Sequence, residues 1–153
     1  MPIADSPAQQ APAQYAPAHH AQARLDRTER AVYRAVNRVR HRHDASTLHA
    51  VSGITFVATD HSREQAINRV LSHSSSDGTP FSTRIRRVAR ARSVGETIIG
   101  YSGRISGRRI VRAWMRSPSH RRELLAPGYR RIGVGRATAR GFSVVTADFA
   151  TGR

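Results

Sequence analysis

A chain of 153 residues, 39% apolar and 24% charged, has material for one domain around a single core and not for two. It contains no cysteine, which excludes a disulfide framework or a thiolate metal site, and no apolar run near the roughly 18 residues a membrane-crossing helix needs. All 26 of its basic residues are arginine, against 10 acidic ones, and the net charge of +16 draws anionic polymers or lipid surfaces. The lack of lysine is in keeping with coding bias. The arginines are spread over every segment, which favours general attraction over a shaped nucleic-acid stripe.

Residues 1–24 are rich in Ala, Pro and Gln and carry almost no bulky apolar side chains. Such a segment cannot bury enough surface to offset its ordering entropy, and a disordered tail or linker is expected, followed by one domain over residues 25–150. The His19-His20 pair in that tail reads as incidental. The start has neither the basic residues nor the apolar core of an export leader, and the expectation is a secreted protein whose sequence begins after the leader.

A first helix is expected from about Asp26 or Thr28 to Arg42, with Thr28 available as cap. Ala31, Val32, Ala35, Val36 and Val39 form its apolar stripe, and Arg27, Arg30, Arg34 and Arg38 its wet face. Asn37, beside that stripe, is expected to hydrogen-bond a neighbouring loop. Residues 46–57 read as a packed loop. A second helix is expected from about Thr59, with Ala66, Ile67, Val70 and Leu71 as its buried stripe and His73 at its end. His61, in its first turn, reads as structural or partly exposed.

Ser74 to Pro80 has strong turn chemistry, with Gly78 free to take a positive φ. Phe81–Val88 is expected as a short helix and residues 94–99 as a strand, from their β-branched density. Ser106 caps a helix running to Arg116, with Ile110, Val111, Trp114 and Met115 inward. Ser117-Pro118 then opens another short helix in the preferred order of cap and first residue. His120 falls in its first turn, where the helix dipole disfavours imidazolium. Residues 131–136 and 142–149 read as a closing β-hairpin.

These residues carry a recognisable order. Asn37-Arg38-Val39-Arg40, His61-Ser62, Ser72-His73, Asp77-Gly78, Arg84, Gly95-Glu96, Trp114-Met115, Ser117-Pro118-Ser119-His120-Arg121, Tyr129, Ile132-Gly133-Val134-Gly135 and Phe149 follow in turn. The succession resembles the CAP superfamily of cysteine-rich secretory, antigen 5 and pathogenesis-related proteins, also called SCP-like, and most of all its compact cysteine-free bacterial branch. The likeness runs from about Thr28 to Ala150.

The resemblance implies an α+β fold, an α-β-α sandwich with a small three-stranded antiparallel sheet between helical layers. It implies a cleft lined by two histidines and two glutamates, which in several members holds a divalent metal such as zinc. By motif, His73 and His120 match the histidines and Glu96 the first glutamate. Two neutral imidazoles can hold zinc while a nearby carboxylate orients its water. No Asp or Glu lies between Glu96 and Glu123 to serve as the second glutamate, and Thr97 stands where Asn commonly follows Gly-Glu.

Membership of such a family does not fix function. The leading expectation is a secreted, non-catalytic binding module at the cell envelope, with anionic wall polymers or lipid head groups as partners. Its His73/Glu96/His120 cleft would take a divalent metal or a small ligand such as a lipid, and no cofactor is required. The alternative is a metal-assisted hydrolase using activated water. A nonspecific polyanion or nucleic-acid binder is the lesser alternative, and sequence-specific nucleic-acid recognition is not expected, because no recognition motif or stacking platform is present.

Overall fold

A computed structural model of the protein describes residues 24–152. The tail expected over residues 1–24, with His19 and His20, falls outside the described residues except for Arg24. The elements in chain order are α1 (Arg27–Arg42), β1 (His49–Ala50), α2 (Ser52–Asn68), α3 (Phe81–Val88), β2 (Val94–Ser102), α4 (Gly107–Arg116), α5 (Pro118–Leu125), β3 (Tyr129–Ala139) and β4 (Phe142–Thr151). The sheet has four strands in the order β1-β3-β4-β2. Of the three strands expected from sequence, β2 and β3 each pair antiparallel with β4, and the fourth strand, the two-residue β1, lies parallel to β3.

The sheet separates two helical layers. On one face α1 and α4 pack with Val32, Val36, Ile110, Val111 and Trp114 against Ile132, Val134, Val145 and Phe149 of the sheet, and Leu124 of α5 joins them. Trp114 is fully buried and its indole N–H donates to the Ile98 carbonyl at 3.2 Å, so the largest side chain of this core leaves no polar atom stranded. On the other face lie α2 and α3.

α1 starts slightly earlier than its threonine suggests. Asp26, not Thr28, is the cap: its side chain accepts from the Glu29 amide while Glu29 accepts from the Asp26 amide. Glu29 also accepts from the Arg136 amide of β3 at 3.0 Å, which ties the helix start to the sheet. Asn37 behaves as expected, donating to the Leu48 carbonyl and accepting from the Leu48 amide.

α2 departs most from its expectation. Residues 52–57 are helical rather than a loop, and Val51 caps the helix without a side-chain bond. What forms this helix is contact with β3. A Cβ on Gly133 would stand 2.2 Å from the Ile54 carbonyl carbon, and one on Gly135 would stand 2.1 Å from the Thr59 amide nitrogen. The two glycines let the helix backbone lie directly on the strand. The buried face of α2 is then partly polar: Ile54, Ala58, His61, Ser62, Gln65 and Ala66 point inward, whereas Ile67, Val70 and Leu71 are exposed. The helix ends at Arg69 in the left-handed region (φ 53°), and His73 lies beyond it in the loop.

The remaining elements follow their sequence signals. α3 and α4 occupy the expected residues, and Ser106 caps α4 by accepting from the Arg109 amide. The β3–β4 hairpin turns at Arg140 and Gly141, both at positive φ (48° and 76°), the combination that matches the twist of paired strands.

Candidate functional site

Glu96 is the centre of the site. It lies on β2, 3% exposed, and its two carboxylate oxygens are claimed from different directions. His73 donates from Nδ1 to Oε1 at 2.8 Å, and the Arg84 guanidinium donates to Oε2 in a short charge-assisted bond. Nε2 of His61 stands 4.0 Å from the same Oε2.

The polar face of α2 explains how a loop residue reaches this strand. His61 donates from Nε2 to the Ser72 carbonyl at 2.8 Å, and Gln65 accepts from the Ser72 amide at 2.7 Å. With Ser72 held on both sides, its neighbour His73 is delivered to Glu96. Arg84, on α3, completes the clamp by donating to the His73 carbonyl at 3.0 Å and to the Thr79 carbonyl of the following turn. His61 is thus a buried structural residue, and its task is to position His73.

His120 occupies the third position of α5, as the Ser-Pro signal implies. Ser117 is the cap residue, but its hydroxyl meets Ser119 and not a backbone amide. Among the described residues His120 makes no hydrogen bond or ion pair with Glu96 or His73, yet it shares their electrostatic surroundings. Its ring is held below the usual histidine range by burial first and by the charge of His73 second. His73 is pushed the other way, above that range, by its hydrogen bond to Glu96.

Two further carboxylates belong to this region and were not singled out in the sequence. Glu123 of α5 accepts from the Tyr129 hydroxyl at 2.8 Å, and both are packed onto Gly95. A Cβ there would stand 2.1 Å from Glu123 Oε2, which gives the Gly-Glu pair a steric reason. Tyr129 is raised as a result to a value well above the ordinary phenol, by burial and then by Glu123. Asp148 is the cross-strand partner of Glu96 and is fully buried. Burial, reinforced by Glu96, raises its carboxyl well above the ordinary range. A carboxylate within the apolar run Val144–Phe149 was the signal available in sequence.

The donor set does not make a three-ligand metal centre. Among the described residues no group of three or more His, Asp or Glu side chains is disposed to hold a metal ion. Glu96 is spent on His73 and Arg84, which leaves Nε2 of His73 and the His120 ring as the imidazole donors. On the far side of Arg84 a hollow of about 240 Å³ opens between α2 and the 74–80 turn, lined by Phe56, Asp60, His61, Glu64, Asp77 and Arg87 among others.

A three-layer α-β-α sandwich with a histidine–glutamate–arginine cluster at one end of its sheet defines the class of protein. Residues 33–149 match the family model described as CAP, the cysteine-rich secretory protein family, and the chain belongs to that family. It is similar in structure to an extracellular SCP-domain protein of Bacillus anthracis, with a TM-score of 0.67 and 26% identity over 79% of this chain. That match spans 39% of the Bacillus chain. It is also similar to an outer surface protein of Borrelia burgdorferi, with a TM-score of 0.70, 24% identity, and coverage of 84% of this chain and 97% of that one. A third similar structure is NaASP2 with zinc, with a TM-score of 0.56, 12% identity, and coverage of 82% and 80%. A comparison with curated proteins found no match.

Proposed function

We propose that this protein is a secreted, non-catalytic binding module that acts at the cell envelope. The observation that carries the reading is its uncompensated arginine surface. The exposed arginines of α1 and α4 have no carboxylate within ion-pair distance among the described residues, on a chain with 26 basic residues against 10 acidic ones. Such a surface attracts anionic wall polymers or lipid head groups, and the His73/Glu96/His120 region serves as a second contact for a small ligand. The similarity to an extracellular protein and to an outer surface protein supports placement outside the cell.

Hydrolysis is the weaker reading. An activated-water mechanism run by Glu96 needs that carboxylate free to take a proton, and both its oxygens already accept hydrogen bonds, from His73 and Arg84.

The test is sedimentation of the protein with purified cell envelopes across a salt series. Retention at about 0.05 M salt and release by about 0.5 M is expected for exposed charges. Retention that ignores salt would overturn the electrostatic reading.

A further inference from the structure

α4 begins hard against α1. A Cβ on Gly107 would stand 2.6 Å from the backbone of Ala31 and Val32, so the two helices touch there through a glycine. Further along both helices a groove of about 440 Å³ opens, walled by Arg38 and Arg42 from α1 and by Arg108 and Arg112 from α4. Its floor is apolar, with Val39, Val111 and Met115. A second hollow of about 320 Å³ lies on the other flank of α4, where Arg109 and Arg116 stand, and Arg112 borders both.

No carboxylate lines either hollow. These arginine side chains are exposed and have no hydrogen-bond or ion-pair partner among the described residues. Within each helix they recur four residues apart: Arg34, Arg38 and Arg42 on α1, and Arg108, Arg112 and Arg116 on α4. Like charges at that spacing disfavour the helix that carries them, and an anion lying along either row would relieve that repulsion. The spacing is about 6 Å along each axis, and guanidinium forks grip phosphate oxygens in pairs.

A flat lipid surface meets the rims of such a groove but not both walls at once, whereas a single chain lies between them. Phe, Tyr and Trp are absent from its lining and its one aromatic ring is His43, so successive nucleic-acid bases would find no run of stacking partners. We propose that the α1–α4 groove binds a linear phosphodiester polymer without bases, a poly(alditol phosphate) of the envelope. This rests on the envelope-binding reading above and assigns it a place on the surface.

The test is calorimetry of the full chain with synthetic poly(glycerol phosphate) at low salt, beside a thymidine oligonucleotide and phosphatidylglycerol vesicles at equal phosphate. The groove variant R38Q/R42Q/R108Q/R112Q is compared with a surface variant of equal charge, R27Q/R104Q/R121Q/R122Q, made at exposed arginines away from the groove. The groove variant is expected to weaken polymer binding by about tenfold or more and the surface variant by less than about threefold. The charge-preserving R38K/R42K/R108K/R112K variant, with the same unfolding temperature as the native chain, is expected to fall between them, because lysine lacks the fork. Equal losses in the groove and surface variants would overturn the groove and leave envelope binding standing. Tighter binding of the oligonucleotide or the vesicles would overturn the choice of polymer. Failure of the native chain to bind any of the three would take the envelope reading down as well.

Discussion

Glu96 and Asp148 face each other on the adjacent antiparallel strands β2 and β4, two carboxyl groups with almost no access to water. Among the described residues no donor reaches either oxygen of Asp148, so its contact with Glu96 becomes a hydrogen bond when one of the two carries a proton, and Asp148 is the better holder because Glu96 already accepts from His73 and Arg84. Arg84 then balances the single charge left on Glu96. The Asp148 carboxyl is raised in the fold by burial first and Glu96 second. A raised carboxyl favours the fold below its unfolded value of 3.8, and that contribution is lost as pH rises through the folded value. Asp148→Asn keeps the shape, can donate to Glu96 and has nothing to ionise. It is expected to stabilise the protein at pH 7 by at least about 1 kcal/mol relative to the native chain and to remove this share of the pH slope. Urea unfolding of both proteins between pH 5 and 8 checks it, and parallel slopes would refute the shared proton.

The two histidines should titrate on opposite sides of 6.5. His73 lies above, because Glu96 holds its charged form, and His120 below, because burial and His73 oppose its charge. The His73 contribution to stability is therefore complete below 6.5 and lost as pH rises through its folded value. That of His120 is complete above 6.5 and lost as pH falls through its own. Proton NMR of the imidazole signals gives both midpoints. In His73→Gln the midpoint of His120 is expected to rise, and no change would mean that the rings do not share a field.

Much of the architecture was legible because its signals are local. Ser106, Ser117-Pro118 and the loop that ends at Gly141 each act within a few residues, and the elements they bound follow the sequence closely, whereas at the start of α1 the expected cap Thr28 gives way to the Asp26–Glu29 box. α2 was misjudged because its cause is remote: Gly133 and Gly135, far along the chain, admit its backbone to the sheet. Its inward face carries His61, Ser62 and Gln65, so apolar periodicity picked Ile67, Val70 and Leu71, which are exposed. The site divides in the same way. The motif order pointed to His73, Glu96 and His120. The roles of Arg84, Glu123 and Asp148 arise from strand register and from the room left by Gly95, which a linear reading does not display.

Arg40 is the arginine in α1 that never meets water. Fully buried, it donates to the carbonyls of Ser46, Leu124, Ala126 and Tyr129, and so ties α1 to the end of α5 and the start of β3. Arg40→Met leaves those acceptors without their donor, and a loss of about 3–5 kcal/mol in urea unfolding is expected. Arg40→Lys keeps the charge but reaches fewer carbonyls and should recover only part of it. A loss below about 1 kcal/mol in Arg40→Met would mean that the carbonyls find other partners.

Zinc affinity separates the binding and hydrolytic readings. Nε2 of His73 and the His120 ring offer two imidazoles, while firm zinc centres use three or four protein ligands. Recruiting Glu96 as a third through Oε2 would cost its bond to Arg84 and leave Arg84 buried without its anion. The expected outcome is therefore weak binding, at about 0.1 mM or above, measured by calorimetry in a His19→Ala, His20→Ala background. Loss of that binding in both His73→Ala and His120→Ala would place it in the cleft, and binding that survives both would place it elsewhere. Micromolar affinity lost in both variants would instead mean that Glu96 lets go of Arg84 to complete the site. A carboxylate beside a bound metal would then be available to activate water, and hydrolysis would become the better reading.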